Sequence, residues 1–191
     1  MKLKGKDLMN IGIFTAIYLV LTTIVAILGF IPIFIPLLIV IVPIIGGIPM
    51  MLYYAKIKTF GMLTISGILV GIFMILTGMG IWIVITGIIF GLLADIIFKA
   101  SDYKSSKAVT VSYGVFSIVL IGNYLPFVFS RDSYFSELAE RFSQEYADKL
   151  MGYMPLWMIP VLAVAGFVSG VIGSFIGKKM FDKHFKKAGV V

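Results

Sequence analysis

The sequence predicts an all-α membrane protein of six spanning helices, and three observations carry that reading. Mean hydropathy is +1.09. Six apolar stretches are long enough, or nearly so, to cross a hydrocarbon core about 30 Å thick. Lys and Arg collect on alternate connections between those stretches. A soluble domain of 191 residues, 60% of them hydrophobic, would have no way to hide so much apolar surface, because a domain that small keeps much of its surface wet.

The stretches lie near 8–30, 34–54, 60–77, 81–98, 108–129 and 155–177, and they make residues 1–191 a single integral-membrane domain. The first follows a Lys-rich leader, but its length exceeds the h-region of a signal peptide, so it stays as a membrane helix. Span 2 carries Pro36, Pro43, Pro49 and the pair Gly46-Gly47. Prolines free backbone groups that neighbours must satisfy, so span 2 either lines a cavity or interface, or is kinked for packing. Gly67 and Gly71 in span 3, and Gly166, Gly170, Gly173 and Gly177 in span 6, have the spacing of close helix packing. Asp95 in span 4 stands four residues before Lys99, and a short-range pair that lets both reach the interface is expected. Span 5 ends on NYLPFVFSRDSYF, where Asn123 sits about one turn below the aqueous boundary and Pro126 loosens the turn after it.

Of the sixteen Lys and Arg, only Arg131, Arg141 and Lys149 lie between spans 5 and 6. The others stand before span 1, between spans 2 and 3, between spans 4 and 5, and after span 6. The positive-inside rule therefore places both termini in the cytoplasm. The long connection at 130–154 is then extracellular. Within it Phe135, Leu138, Phe142, Tyr146 and Leu150 recur every three or four residues, the pattern of a short amphipathic helix. Asp132 and Ser133 are its start signals, Pro155 opens span 6, and Glu137–Arg141 and Glu145–Lys149 are i,i+4 pairs on its polar side. A structured loop of this length usually covers something.

Composition removes several function classes. There is no Cys, so thiol catalysis and Cys-based metal sites are excluded. The single His, His184, lies in a Lys-rich tail and reads as a solvated residue. Asp95 is the one acid clearly inside a span, which rules out an aspartyl dyad. No catalytic residue, metal or cofactor is expected. A charge of +7 in so apolar a chain fits a bilayer surface rather than nucleic acid. No span offers a polar pore stripe, and no internal repeat supports a stand-alone secondary carrier. What remains is a binding protein.

The binding chemistry collects at the outer end. Asn123 has donors and acceptors suited to a heterocycle or amide edge. Tyr124, Phe127, Tyr134, Trp82 and Trp157 are aromatics that can stack on a flat ligand, or that form the interfacial belt of any membrane protein. Arg131 either clamps an anionic or carbonyl group or pairs with Asp132.

The opening KDLMNIGIFTAIY, the run GIIFGLLADII, the segment GNYLPFVFSRDSYF and the ending GKKMFDKHFKKAGVV together resemble the substrate-binding (S) components of energy-coupling factor transporters. More narrowly, they resemble the Trep_Strep-type family, one branch of which is described as hydroxymethylpyrimidine carriers. The similarity covers essentially the whole chain. It implies a bacterial cell-membrane protein that captures a small-molecule nutrient in an outer pocket covered by loops 1, 3 and 5. It also implies partners: a transmembrane coupling (T) component and two cytoplasmic ATPases. In such families small residues four apart on helix 1 contact the T component. The matching positions here are Gly12 and Ala16, with Gly in place of the more usual first Ala. The expectation from another class is a membrane scaffold or assembly factor without a ligand, and a weaker third is a stand-alone secondary carrier.

Overall fold

The computed structural model describes residues 3–180 and Lys183. The fold is all-helical: α1 (Gly5–Ala26), α2 (Phe34–Lys56), α3 (Met62–Leu76), α4 (Trp82–Ala100), α5 (Ser106–Ser117), α6 (Pro126–Phe129), α7 (Arg131–Arg141), α8 (Gln144–Tyr153) and α9 (Met158–Met180), with 3-10 turns at Ile27–Phe30 and Ile118–Asn123. His184, Lys2, Lys186 and Lys187 fall outside the described residues, as does most of the basic ending.

Five segments among the described residues are long and apolar enough to cross a membrane: 5–30, 34–56, 82–100, 106–129 and 158–180. The stretch expected to span at 60–77 is shorter, because α3 holds 15 residues and rises only about 22 Å. Both ends of α3 are stopped by glycines in the left-handed region, Gly61 at φ 94° and Gly78 at φ 86°. The principal helix contacts form a closed ring, running α1, α2, α9, α5, α4, α3 and back to α1.

Glycines set the closeness of that ring. A Cβ added to Gly67 would meet the backbone of Gly87 across the α3–α4 seam. At Gly173 it would meet the Pro43 carbonyl, and at Gly177 the Gly47 carbonyl. Between helices in lipid the attraction is packing rather than the hydrophobic effect, so this backbone approach is what holds the seams.

Hydroxyls finish the job where backbone groups are freed. Pro43 has no N–H to offer the Ile39 carbonyl, and Ser169 Oγ on α9 donates to it instead at 3.1 Å. The Tyr113 hydroxyl donates to the Pro43 carbonyl at 2.7 Å. α2 therefore stays helical through its prolines. Asp95 does not pair with Lys99. It is 1% exposed and caps α3 from the neighbouring helix, accepting from Leu63 N at 3.1 Å, Thr64 N at 2.9 Å and Thr64 Oγ1 at 2.7 Å. Lys99 lies over the Phe60 ring instead. A buried helix start needs such partners more than a surface lysine needs a counter-ion, and the cap wins.

Candidate functional site: a lidded cavity

Span 5 is not one continuous helix. α5 ends at Ser117, and the chain tightens to a 3-10 turn through Asn123 before Pro126 starts α6. Thr86 Oγ1 on α4 donates to the Val119 carbonyl at 2.8 Å, taking the acceptor that a continuing α-helix would use. Gly122 lets this turn lie against the Ile83 backbone, which a Cβ would not permit. A 3-10 stretch inside a helix re-aims the side chains that follow. Here it turns Asn123 and Tyr124 into the bundle.

They face a cavity of about 270 Å³ at the end of the bundle remote from the lysine-bearing turns. Its walls are Thr22 and Ala26 of α1, Ile35, Leu38, Ile39 and Val42 of α2, Met74 of α3, and Leu120, Asn123, Tyr124 and Phe127 of span 5. The roof is the long connection, which folds as two helices rather than one. Ser143 breaks the expected run and caps α8, accepting from Tyr146 N at 3.1 Å. The first lid helix begins at Arg131, slightly before the expected Asp132 and Ser133, and α9 begins at Met158, three residues after Pro155. Both i,i+4 pairs form, at 3.9 Å for Glu137–Arg141 and 2.6 Å for Glu145–Lys149.

The lid is tied down on all sides. The Tyr146 hydroxyl donates to the Gly29 carbonyl of the first connection, and Phe142 packs edge-on against Phe30. Arg141 approaches Gly78 of the third connection, whose Met79 joins the cavity wall. Arg131 donates to the carbonyls of Phe127 (3.2 Å), Met154 (2.8 Å) and Met151 (3.4 Å), and its guanidinium lies over the Phe135 ring. It neither lines the cavity nor pairs with Asp132; it fastens the end of α8 to the end of α6.

Of the residues the sequence singled out, the structure brings together Asn123, Tyr124, Phe127 and Tyr134. Trp82 stacks on Phe129 at 4.7 Å outside the lining, and Trp157 is 65% exposed, as an interfacial residue is. The Tyr124 hydroxyl is committed to the Ile35 carbonyl at 2.7 Å. Asn123 Oδ1 is different. It is buried, it has no hydrogen-bond partner, and among the described residues no other buried side-chain nitrogen or oxygen is left so. Tyr134 also lines the cavity, and burial pushes its hydroxyl up to about 12, so it stays protonated at neutral pH. Of the two readings of span 2, the cavity-lining one holds for Ile35, Leu38, Ile39 and Val42, and Phe142 and Tyr146 of the covering loop reach the cavity, though the sequence singled out none of them as a site residue.

The geometry thus defines a class: a polytopic helical membrane protein with a small lidded cavity and, among the described residues, no group of His, Cys, Asp or Glu able to hold a metal. Residues 5–187 match the family described as "Hypothetical bacterial integral membrane protein (Trep_Strep)", and the chain belongs to that family. It is a bacterial integral membrane protein. No curated protein and no solved structure matches it.

Proposed function

We propose that this protein is a substrate-capture (S) component of an energy-coupling factor importer, with no catalysis of its own. The observation that carries the proposal is the unpartnered Asn123 Oδ1 in a lidded apolar cavity. A buried amide without a partner costs about 1–3 kcal/mol, which a ligand that supplies the missing bond returns. Small-molecule pockets run from about 300 to 1,000 Å³ and combine apolar walls with a few polar groups. This cavity, at about 270 Å³, lies just below that range, which fits a nutrient of one or two rings such as hydroxymethylpyrimidine or a related thiamine precursor. Asn123 reads its polar edge, Tyr134 supplies a hydroxyl, and Phe127 and Tyr124 flank the ring.

Six spans, with α3 crossing as the shortest against α4, put the lid outside and the lysine-bearing turns in the cytoplasm. α1 presents Gly12 and Ala16 outward: a Cβ on Gly12 meets nothing within 4 Å, and Ala16 is exposed. Packing against another helix of the same chain therefore does not explain them. A partner helix of a T component does, and two ATPases complete the importer.

Two experiments test this reading. Because the chain has no Cys, single probes work without background. Ser136→Cys on the lid should react with an impermeant thiol reagent in intact cells and Ala100→Cys should not; the reverse pattern overturns the orientation. Mass spectrometry of small molecules released from purified protein should yield a heteroaromatic compound. A protein purified empty from nutrient-replete cells supports the scaffold reading instead.

A further inference from the structure

A second depression, about 440 Å³, opens at the opposite end of the bundle, between the last turns of α2, α4 and α9 and the first turn of α5. Its floor is apolar and aromatic. Phe98 packs edge-on against both Tyr54 (4.9 Å) and Tyr103 (5.0 Å), with Met51 and Val109 beside them. Its rim is cationic: Lys58, Lys104 and Lys178 line it, and no Asp or Glu among the described residues does. Lys58 and Lys104 are exposed, and neither belongs to the ion pairs formed among the described residues, which lie on the lid. Lys178 donates to the Ser106 carbonyl and to Thr110 Oγ1, which fixes its ammonium at the rim with a third N–H to spare.

The turn that delivers Tyr103 and Lys104 is strained. Asp102 (φ 50°) and Tyr103 (φ 60°) are successive non-glycine residues in the left-handed region, which a bulky side chain seldom enters. Strain of that kind persists where the surroundings fix it, and it gathers at binding sites. Glycine would relieve it but would not place a ring against Phe98.

We infer that this groove binds the phosphodiester headgroup of an anionic phospholipid, with the lysines around the phosphate and the apolar floor beneath the glycerol and first acyl carbons. Three uncompensated ammonium groups select a negative charge, and basic pockets between membrane helices suit such headgroups. A floor of Phe98, Tyr54 and Met51 has no use for a free phosphate but matches a lipid's apolar portion. The site is independent of the lid-end cavity and of its cargo.

The test is native mass spectrometry of the full chain released from bilayers containing equal phosphatidylglycerol and phosphatidylcholine. The wild type should retain phosphatidylglycerol selectively. Lys58→Glu/Lys104→Glu should weaken that retention about tenfold or more, with Lys58→Gln/Lys104→Gln intermediate and melting temperature unchanged in both. Lys107→Glu reverses one charge in the first turn of α5, off the groove, and it should retain lipid like the wild type, whereas the single Lys104→Glu, with the same change of charge, should not. Equal retention of the two lipids, or equal loss in Lys107→Glu, overturns the inference. So does displacement of phosphatidylglycerol by millimolar inorganic phosphate, which would mark a soluble-anion site.

Discussion

The packed middle of the bundle and the cavity under the lid treat polar groups in opposite ways. In the middle they are used up. Asp95 accepts three hydrogen bonds at the start of α3, Ser169 and Tyr113 serve the carbonyls around Pro43, and Ser66 Oγ lies 2.8 Å from both Tyr53 and Thr15 hydroxyls. Under the lid, Asn123 Oδ1 is buried and left open. In a medium without water every unpaired polar atom is destabilising, so a chain that satisfies so many others and leaves this one has a different use for it. The middle holds shape; in the proposed reading the cavity waits for a partner.

The largest effect should come from the middle. Gly67→Val would drive a branched side chain into the Gly87 backbone, which has no flexible end to yield. We expect loss of folded protein, measured as yield of monodisperse material. Gly12→Leu, on the outward face of α1, should fold normally; in the importer reading it should cut co-purification with the T component and abolish ATP-dependent uptake. If both variants fold equally well, the distinction between seam and outer face is wrong.

Asp95→Ala should rank next. It leaves two backbone N–H groups at the start of α3 unsatisfied, at about 1–3 kcal/mol each, and should lower the melting temperature clearly. Asp95→Asn retains an acceptor and should recover part of that loss. Arg131→Ala should act on the lid rather than the middle. Losing hydrogen bonds from a charged donor, worth about 1.5–3 kcal/mol, should loosen the end of α8 and weaken ligand retention about tenfold. Measured by dissociation rate, the change should appear as faster release. Trp82→Ala should be smallest: its stack on Phe129 lies outside the lining, so stability falls by about 0.5–1.5 kcal/mol while ligand affinity holds. A large affinity loss there would move the site.

Much of this contrast was legible in the sequence, though unevenly. Hydropathy and the lysine pattern gave the membrane class, and the glycine spacings gave the seams, because those signals are periodic and local. Asn123, Tyr124, Phe127 and Tyr134 were readable as a polar and aromatic break at the end of span 5. Three things were not. The change from α to 3-10 at Ile118 depends on Thr86, more than thirty residues earlier, reaching the Val119 carbonyl. Asp95 looked like the partner of Lys99 because spacing shows i,i+4 neighbours and not the start of another helix. Arg131 looked like a ligand clamp because an arginine near aromatics does, whereas two of its three acceptors are carbonyls some twenty residues on. Each miss is a long-range polar contact, the kind that periodicity does not encode.

The most direct test of the cavity is Asn123→Leu, with stability and ligand retention measured on the same preparations. If Asn123 Oδ1 is held open for a ligand, removing the amide should leave the melting temperature of empty protein unchanged or raised. The small-molecule adduct that native mass spectrometry should detect on the wild type should be lost at the same time. A variant that melts lower when empty, or that keeps the wild-type adduct, would show that Asn123 supports the fold rather than recognising cargo.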